Sequence, residues 1–526
     1  MLKLEKTVSR IISVLFLILF LPILFCVFVF GNNMDYFEVV KQNFLCHNAL
    51  LFPICLVFLA IAFLLKKPFN KIIIIGKKRN SIIFVSLAVL FYILMYAVNI
   101  EICKCIAFYS GWDIGNVIGS VYNLRDGHPL SEDFYYRLFP FNIFNVYYLY
   151  KLYGLAEKIP NYPYELQFFW VQFSCMLFSL SGLLTTLTVR RITRKAAPTI
   201  FSMVLYAALI GISPWKFIPY TDTISFSFAI LAVYLYILSR EVRTWLRYVL
   251  WGVICITCFL GAQIKATIYV PIIAITIMQL ISSLSIKGAK EKIKHTAAVL
   301  VILMACFGLS TLYKYHVFKV VGYDTSQDLK LNWSHLVRLG SNEYSTGGFS
   351  SEHYLIFYEY LDRPAEERHA EERRQIAERF KERGLVGNLY FYLRKNVMNF
   401  NDGTFCWYLE GNFHTEEYRS LTDNRLKPLL RDFFWYEGSH YRYFLTYSQL
   451  IWLFTLLLLP LGALLPFTPR AKESYGSVGT VVLAVLGITL FVMLFEGRAR
   501  YFLNMTPVFV VAASLGIDFS FKKNME

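Results

Sequence analysis

Apolar stretches of about 18 residues or longer recur along this chain, joined by short loops that alternate between lysine- and arginine-rich and nearly free of basic residues. In hydrocarbon every backbone N–H and C=O must be satisfied within its own segment, so such stretches fold as helices that cross a bilayer. Composition agrees: 56% of the 526 residues are hydrophobic, 17% aromatic and only 17% charged. A soluble core has no room for that much apolar surface. The formal net charge of +16 does not point to nucleic acid, because the basic residues collect in the short loops, as the positive-inside rule requires. The fold class expected is therefore an all-α polytopic membrane protein, with the lipid bilayer as a partner and no nucleic acid.

Lys3, Lys6 and Arg10 precede a first span at about 11–31 and set the N-terminus in the cytoplasm. A second span, about 48–65, returns to the densest basic loop: Lys66, Lys67, Lys71, Lys77, Lys78 and Arg79. The third, about 81–100, delivers Asp113 to the outer face. Further spans are expected at about 167–189 and 198–214, in a sixth ending at Arg240, and at about 248–262, 268–285 and 296–313. Three more follow at about 447–467, 477–495 and 502–518. With about twelve spans, every short basic loop falls on one side, including Arg190 to Lys195, Lys287 to Lys294, Arg470 with Lys472, and the tail Lys522-Lys523. Both termini are then cytoplasmic, in a multi-pass protein of the cell membrane. No cleavable signal is expected, since Leu15 to Phe30 is long enough to stay as a span.

Ten cysteines are scattered, many of them in apolar spans, and read as small core residues. Cys103 and Cys105 are the most closely spaced pair, and a single intervening residue is poor spacing for zinc. No His–carboxylate spacing supports a divalent metal, no cofactor is expected, and His128, His335 and His353 read as ordinary loop residues. In the polar segment at about 314–446, Glu and Arg recur three and four apart from Pro364 to Arg383, with Gly384 as a stop. That predicts a solvated, salt-bridged helix without chemistry. The aromatic run from Phe134 to Tyr150 reads as an amphipathic belt along the membrane interface.

Four ionisable sites fall near span ends on the outer face: Asp113, Asp222, Lys265, and Arg498 with Arg500 beside Tyr501. Charges at such depth are expensive and mark a cavity or a pathway. Each has a plainer reading as well, the two aspartates as helix caps and Lys265 and Arg498 as side chains reaching to the headgroups. Taken together, carboxylates and cations on one side suit an anionic lipid-linked substrate, with a carboxylate to activate a hydroxyl and cations to hold phosphate.

Gly111-Trp-Asp113, Pro219-Tyr-Thr-Asp222, Ile264-Lys265-Ala-Thr267 and Arg500-Tyr501-Phe-Leu-Asn-Met-Thr-Pro507 together resemble the GT-C superfamily of integral membrane glycosyltransferases, in particular the bacterial protein mannosyltransferase and aminoarabinose transferase branch. Asn401-Asp402-Gly-Thr-Phe-Cys-Trp407 and Glu410-Gly-Asn-Phe413 resemble the loop signature of a group of Firmicutes membrane glycosyltransferases, which adds Asp402 and Glu410 as loop candidates. The resemblance implies a seven-helix catalytic module at 81–313, preceded by two helices and a basic loop at 1–80. It is followed by an extracytoplasmic loop domain at 314–446 and three helices at 447–526. It also implies a polyprenyl-phosphate sugar donor and an extracytoplasmic acceptor (wall polymer, lipid or protein). Asp113 and Asp222 would be catalytic, and Lys265, Arg498, Arg500 and Tyr501 would bind the donor phosphate. The chain departs from the family where two spans precede the module and where Trp112-Asp113-Ile114 replaces paired acids, leaving open whether Asp113 works alone or with Asp222. The rival readings are a transporter or flippase for a lipid-linked saccharide, which would show repeats that are missing here, and a polysaccharide polymerase or ligase.

Overall fold

The computed structural model describes residues 2–31, 44–72, 78–107, 111–163, 166–327, 329, 331–360, 363–411, 421–468 and 474–519. Ser110, Lys77, Asn412, Phe413, Arg470, Lys472, Lys522 and Lys523 lie outside the described residues. Among the described residues the structure is helical and contains no strand. The helices, joined by shorter helical turns, begin with α1 (Leu2–Phe30), α2 (Asn48–Ile72), α3 (Lys78–Ile106), α4 (Trp112–Arg125), α5 (Ile143–Ala156) and α6 (Leu166–Thr193). Next come α7 (Ala196–Tyr206), α8 (Phe228–Ser239), α9 (Thr244–Ile264), α10 (Tyr269–Leu284) and α11 (Ala289–Val320). The polar segment holds α12 (Trp333–Gly340), α13 (Glu352–Glu359), α14 (Ala365–Phe400), α15 (Trp407–Gly411) and α16 (Lys427–Phe434). Three helices close the chain: α17 (Tyr441–Ala463), α18 (Tyr475–Leu494) and α19 (Thr506–Asp518).

Eleven helical stretches among the described residues are long and apolar enough to cross a membrane. The expected fifth span is shorter: α7 runs on through a π-helical turn only to Gly211. At 1.5 Å per residue it covers about 24 Å, less than the bilayer's hydrocarbon. Lys216 closes the end of this helix. Its buried ammonium donates to the carbonyls of Ile210 (2.9 Å), Gly211 (3.0 Å) and Ser213 (3.0 Å), which a further helical turn would otherwise satisfy.

Contacts between loops distant in sequence define two faces. On one, Arg240 pairs with Glu5 at 2.8 Å, Lys195 with Asp518 at 2.6 Å, and Ser9 Oγ donates to the carbonyl of Tyr475. This face collects the basic loops. The other face carries the ends of α3, α9 and α18. The core sits around α19, whose span is 94% buried, whereas the spans of α2, α3 and α11 are 17% buried and turn most of their surface to lipid. Close approach of small residues makes this possible: Gly462 faces the carbonyl of Ala512, and a Cβ on Gly516 would lie 2.7 Å from that of Leu458. In lipid such contact replaces the hydrophobic drive that joins helices in water.

Two expectations are corrected. The aromatic run at 134–150 is not an interfacial belt, because Tyr136, Ile143, Phe144, Val146, Tyr147 and Leu149 are buried in the bundle. Phe144 and Tyr147 pack on Tyr313 of α11, and Asn145 donates to the carbonyl of Pro219, so the run is claimed by neighbours on several sides. His335 is likewise no loop residue: it lies in α12, buried, with Nδ1 3.0 Å from Glu372 of α14. His128 sits beside Glu132 at a turn, and the side chain of His353 lies outside the described residues. The salt-bridged helix forms, with Arg374 on Glu371 and Glu378 at 2.7 and 2.6 Å. Gly384 breaks it as expected (φ 60°, ψ −172°), but the helix resumes and runs to Phe400.

Candidate functional site

Helix α4 begins one residue before Asp113, at Trp112, whose φ of 48° is in the left-handed region that a bulky side chain rarely adopts. Asp113 therefore lies in the first turn. Its carboxylate does not cap the helix. Instead Oδ1 accepts from the Tyr135 hydroxyl at 2.8 Å and Oδ2 from the Tyr220 hydroxyl at 2.5 Å. Asn142 Nδ2 donates to Tyr135 Oη at 2.6 Å, which turns the phenol proton toward Asp113. Burial holds both phenols well above the usual tyrosine range, so each remains a donor at neutral pH.

Tyr220 connects this carboxylate to the second. The Arg500 guanidinium stacks on the Tyr220 ring, 4.0 Å from its centroid. From there it reaches Asp222 Oδ2 at 3.5 Å and Glu410 Oε1 at 3.8 Å. Lys265 Nζ donates to the same Asp222 oxygen at 3.0 Å and lies 4.3 Å above the Tyr501 ring, so it points into the protein rather than toward headgroups. Neither aspartate has its capping role, and Lys265 does not snorkel. Trp112 Nε1 donates to the carbonyl of Leu409 at 3.3 Å, tying the start of α4 to the turn that carries Glu410.

The loops are held together by small polar side chains. Asn504 Nδ2 donates to Ser225 Oγ and Thr267 Oγ1, each at 2.9 Å, and so joins the segments that carry Arg500, Asp222 and Lys265. Below the 401–407 loop, Gln449 Nε2 donates to both Asn48 and Asn401 at 3.1 Å, and its Oε1 accepts from Gly403 N at 2.9 Å. Asp402 belongs to this scaffold: its carboxylate accepts from Thr404 N (2.8 Å), Thr404 Oγ1 (2.7 Å) and Cys406 N (2.6 Å). Those bonds hold Phe405 and Cys406 at positive φ. Arg498 stands beside the cluster, with Nε 3.7 Å from Glu496.

Of the eight candidates, Asp113, Asp222, Lys265, Arg500, Tyr501 and Glu410 thus meet in one cluster, Asp222 and Glu410 buried and the other four half-buried, while Arg498 borders it and Asp402 supports its loop. The cluster is electrostatically tense. Asp222 Oδ1 and Glu410 Oε2 are buried and accept no hydrogen bond. Burial, with Asp113 and Asp222 nearby, pushes Glu410 up to about 7 against the pull of Arg500. No group of three or more His, Cys, Asp or Glu among the described residues forms a metal site. Sequence reasoning missed Tyr135 and Tyr220 as partners of Asp113. Tyr220 stands two residues before Asp222, but nothing local pairs it with a carboxylate more than a hundred residues away.

Fold and site define a helical multi-pass membrane protein that gathers buried charge at the ends of its spans. A family model described as "conserved hypothetical integral membrane protein" (CHIM_prot) matches residues 4–521, and the chain belongs to that family. Comparison with curated proteins finds no match, and comparison with solved structures finds none.

Proposed function

We propose that this chain is a membrane glycosyltransferase of the GT-C kind, moving a sugar from a polyprenyl-phosphate donor to an acceptor hydroxyl on the outer side of the cell membrane. One observation carries the reading: a carboxylate gripped by two phenols lies one side chain, Tyr220, from Arg500, whose partner Asp222 also holds Lys265. Asp113 is the base. As the acceptor oxygen bonds to the anomeric carbon, the bond from that carbon to the phosphate oxygen breaks and the acceptor proton passes to Asp113. A carboxylate has about four lone-pair sites, so two phenol donors leave room for the acceptor hydroxyl. Lys265 and Arg500 meet the charge that develops on the leaving phosphate. Tyr135 and Tyr220 are positioning residues that fix the carboxylate's plane.

In this reading 81–313 is the catalytic module, both termini are cytoplasmic and the 314–446 segment is outside. The deciding assay is sugar transfer by reconstituted protein from a purified polyprenyl-phosphate sugar. Asp113→Asn should abolish it, and Asp222→Asn should reduce it less if Asp222 only seats the cations. Wild-type transfer by Asp113→Asn would move the base elsewhere. The sidedness is tested separately: a single cysteine at Glu378 should react with an impermeant thiol reagent in intact cells, and labelling only after permeabilisation would reverse it.

A further inference from the structure

The two halves of α14 expose different chemistry. Before Gly384 the exposed side chains are mainly charged, among them Glu366, Glu367, Arg373, Arg374, Glu378 and Lys381. After it they are Leu385 and Val386, each 79% exposed, Leu389 at 66% and Tyr390 at 67%. The spacing i, i+1, i+4, i+5 places these four on one stripe. Soluble surfaces rarely leave such a stripe in water.

The opposite side of the same helix says where it lies. Lys395 Nζ donates to the carbonyls of Gly340 and of Phe495, just beyond α18. Asn399 Nδ2 donates to the carbonyl of Val492 at 3.3 Å. Asn401, one residue past the helix, donates to the carbonyl of Gly31 at the end of α1 and accepts from Asn48 at the start of α2. The last turns of α14 therefore touch the ends of α18, α1 and α2. Tyr390 stands five residues before Lys395, about 7.5 Å of helix, so the exposed stripe begins within about one and a half turns of those span ends.

We propose that residues 385–393 form an interfacial helix whose Leu385, Val386, Leu389 and Tyr390 face is seated in the headgroup–acyl boundary of the bilayer. Nearness to the span ends supplies the occupant, and the exposed cations Lys381 and Arg394 flank the stripe in sequence, where they suit anionic headgroups. Tyr390 suits the same depth, with an apolar ring and a polar tip. The proposal is independent of glycosyl transfer.

The test uses the full chain, cysteine-free, in phosphatidylethanolamine–phosphatidylglycerol liposomes, with an environment-sensitive fluorophore on Val386→Cys or Leu389→Cys. Glu378→Cys, on the charged half, is the comparison. Labels at 386 and 389 should be quenched by a shallow nitroxide lipid and resist aqueous iodide about threefold better than the label at 378. Iodide quenching equal to that at 378 would put the face in water. Protection from both quenchers would mean that protein covers it, and either result overturns the proposal. The unsubstituted chain provides a second measurement: a membrane-partitioned photoactivated carbene should label the peptide spanning 385–393 in preference to 365–383, and the reverse order sinks the idea.

Discussion

The clusters around Asp222 and Glu372 each set a buried carboxylate beside basic side chains and differ in how that carboxylate is satisfied. Both Glu372 oxygens are engaged, Oε1 by His335 and Oε2 by Ser334, with Arg368 4.0 Å away. At Asp222 one oxygen takes Lys265 and Arg500 together while the other, buried, accepts nothing, and Glu410 repeats the pattern. The Glu372 network, closed by a hydrogen bond at each carboxylate oxygen, pins α12 against α14. An open one keeps acceptors and cations in reserve, which is what a site for a charged substrate needs and what a structural cluster avoids.

The two clusters also answer pH in opposite directions. His335 is held below the usual histidine value of 6.5 by burial. Burial raises Glu372, but its bonds to His335 and Ser334 outweigh this and hold it below 4.5. Groups depressed in the folded state contribute stability that is present above these values and lost as pH falls. Glu410 is raised from 4.5 to about 7, so its contribution is complete below 4.5 and lost as pH rises through about 7.

The sharpest way to break this comparison is Asp113→Asn. Transfer should fall about 10²- to 10⁴-fold, because an amide takes no proton, while the melting curve in detergent stays in place. A large drop in melting temperature would make Asp113 a structural residue like Glu372. The converse substitution, Glu372→Ala, removes one member of a buried ionic network and should destabilise the protein by about 3–5 kcal/mol. Transfer per folded molecule, measured well below the melting point, should then be retained; selective loss of transfer would extend the site into the 314–446 segment. Arg500→Lys should weaken donor binding about tenfold, since an ammonium cannot reproduce the guanidinium fork or its stacking on Tyr220. Donor titrations read this directly, and an unchanged apparent affinity would remove Arg500 from the phosphate site. The smallest effect belongs to Glu410→Gln. It should change transfer only a few-fold and abolish the pH dependence near 7. A pH profile of the same shape in the variant would assign that titration to another group.

Much of the architecture was legible because the rule behind it is local. In a bilayer each apolar stretch must satisfy its own backbone, so the sequence by itself determined which segments are helices and, through the loop charges, which ends share a face. Gly384 as a break was readable for the same reason, since its φ is a property of one residue. So were lone charges at span ends, because Asp222 and Lys265 are conspicuous amid apolar neighbours. What the tertiary structure decided was which faces meet. An aromatic run reads alike whether lipid or Tyr313 covers it, and the run at 134–150 turned inward. The apolar stripe at 385–390, by contrast, is left outside. His335 gave no sign of Glu372, nor Asp113 of Tyr135 and Tyr220, because those contacts join segments far apart in the chain. Helix periodicity states that a face exists; only packing between helices states what lies against it.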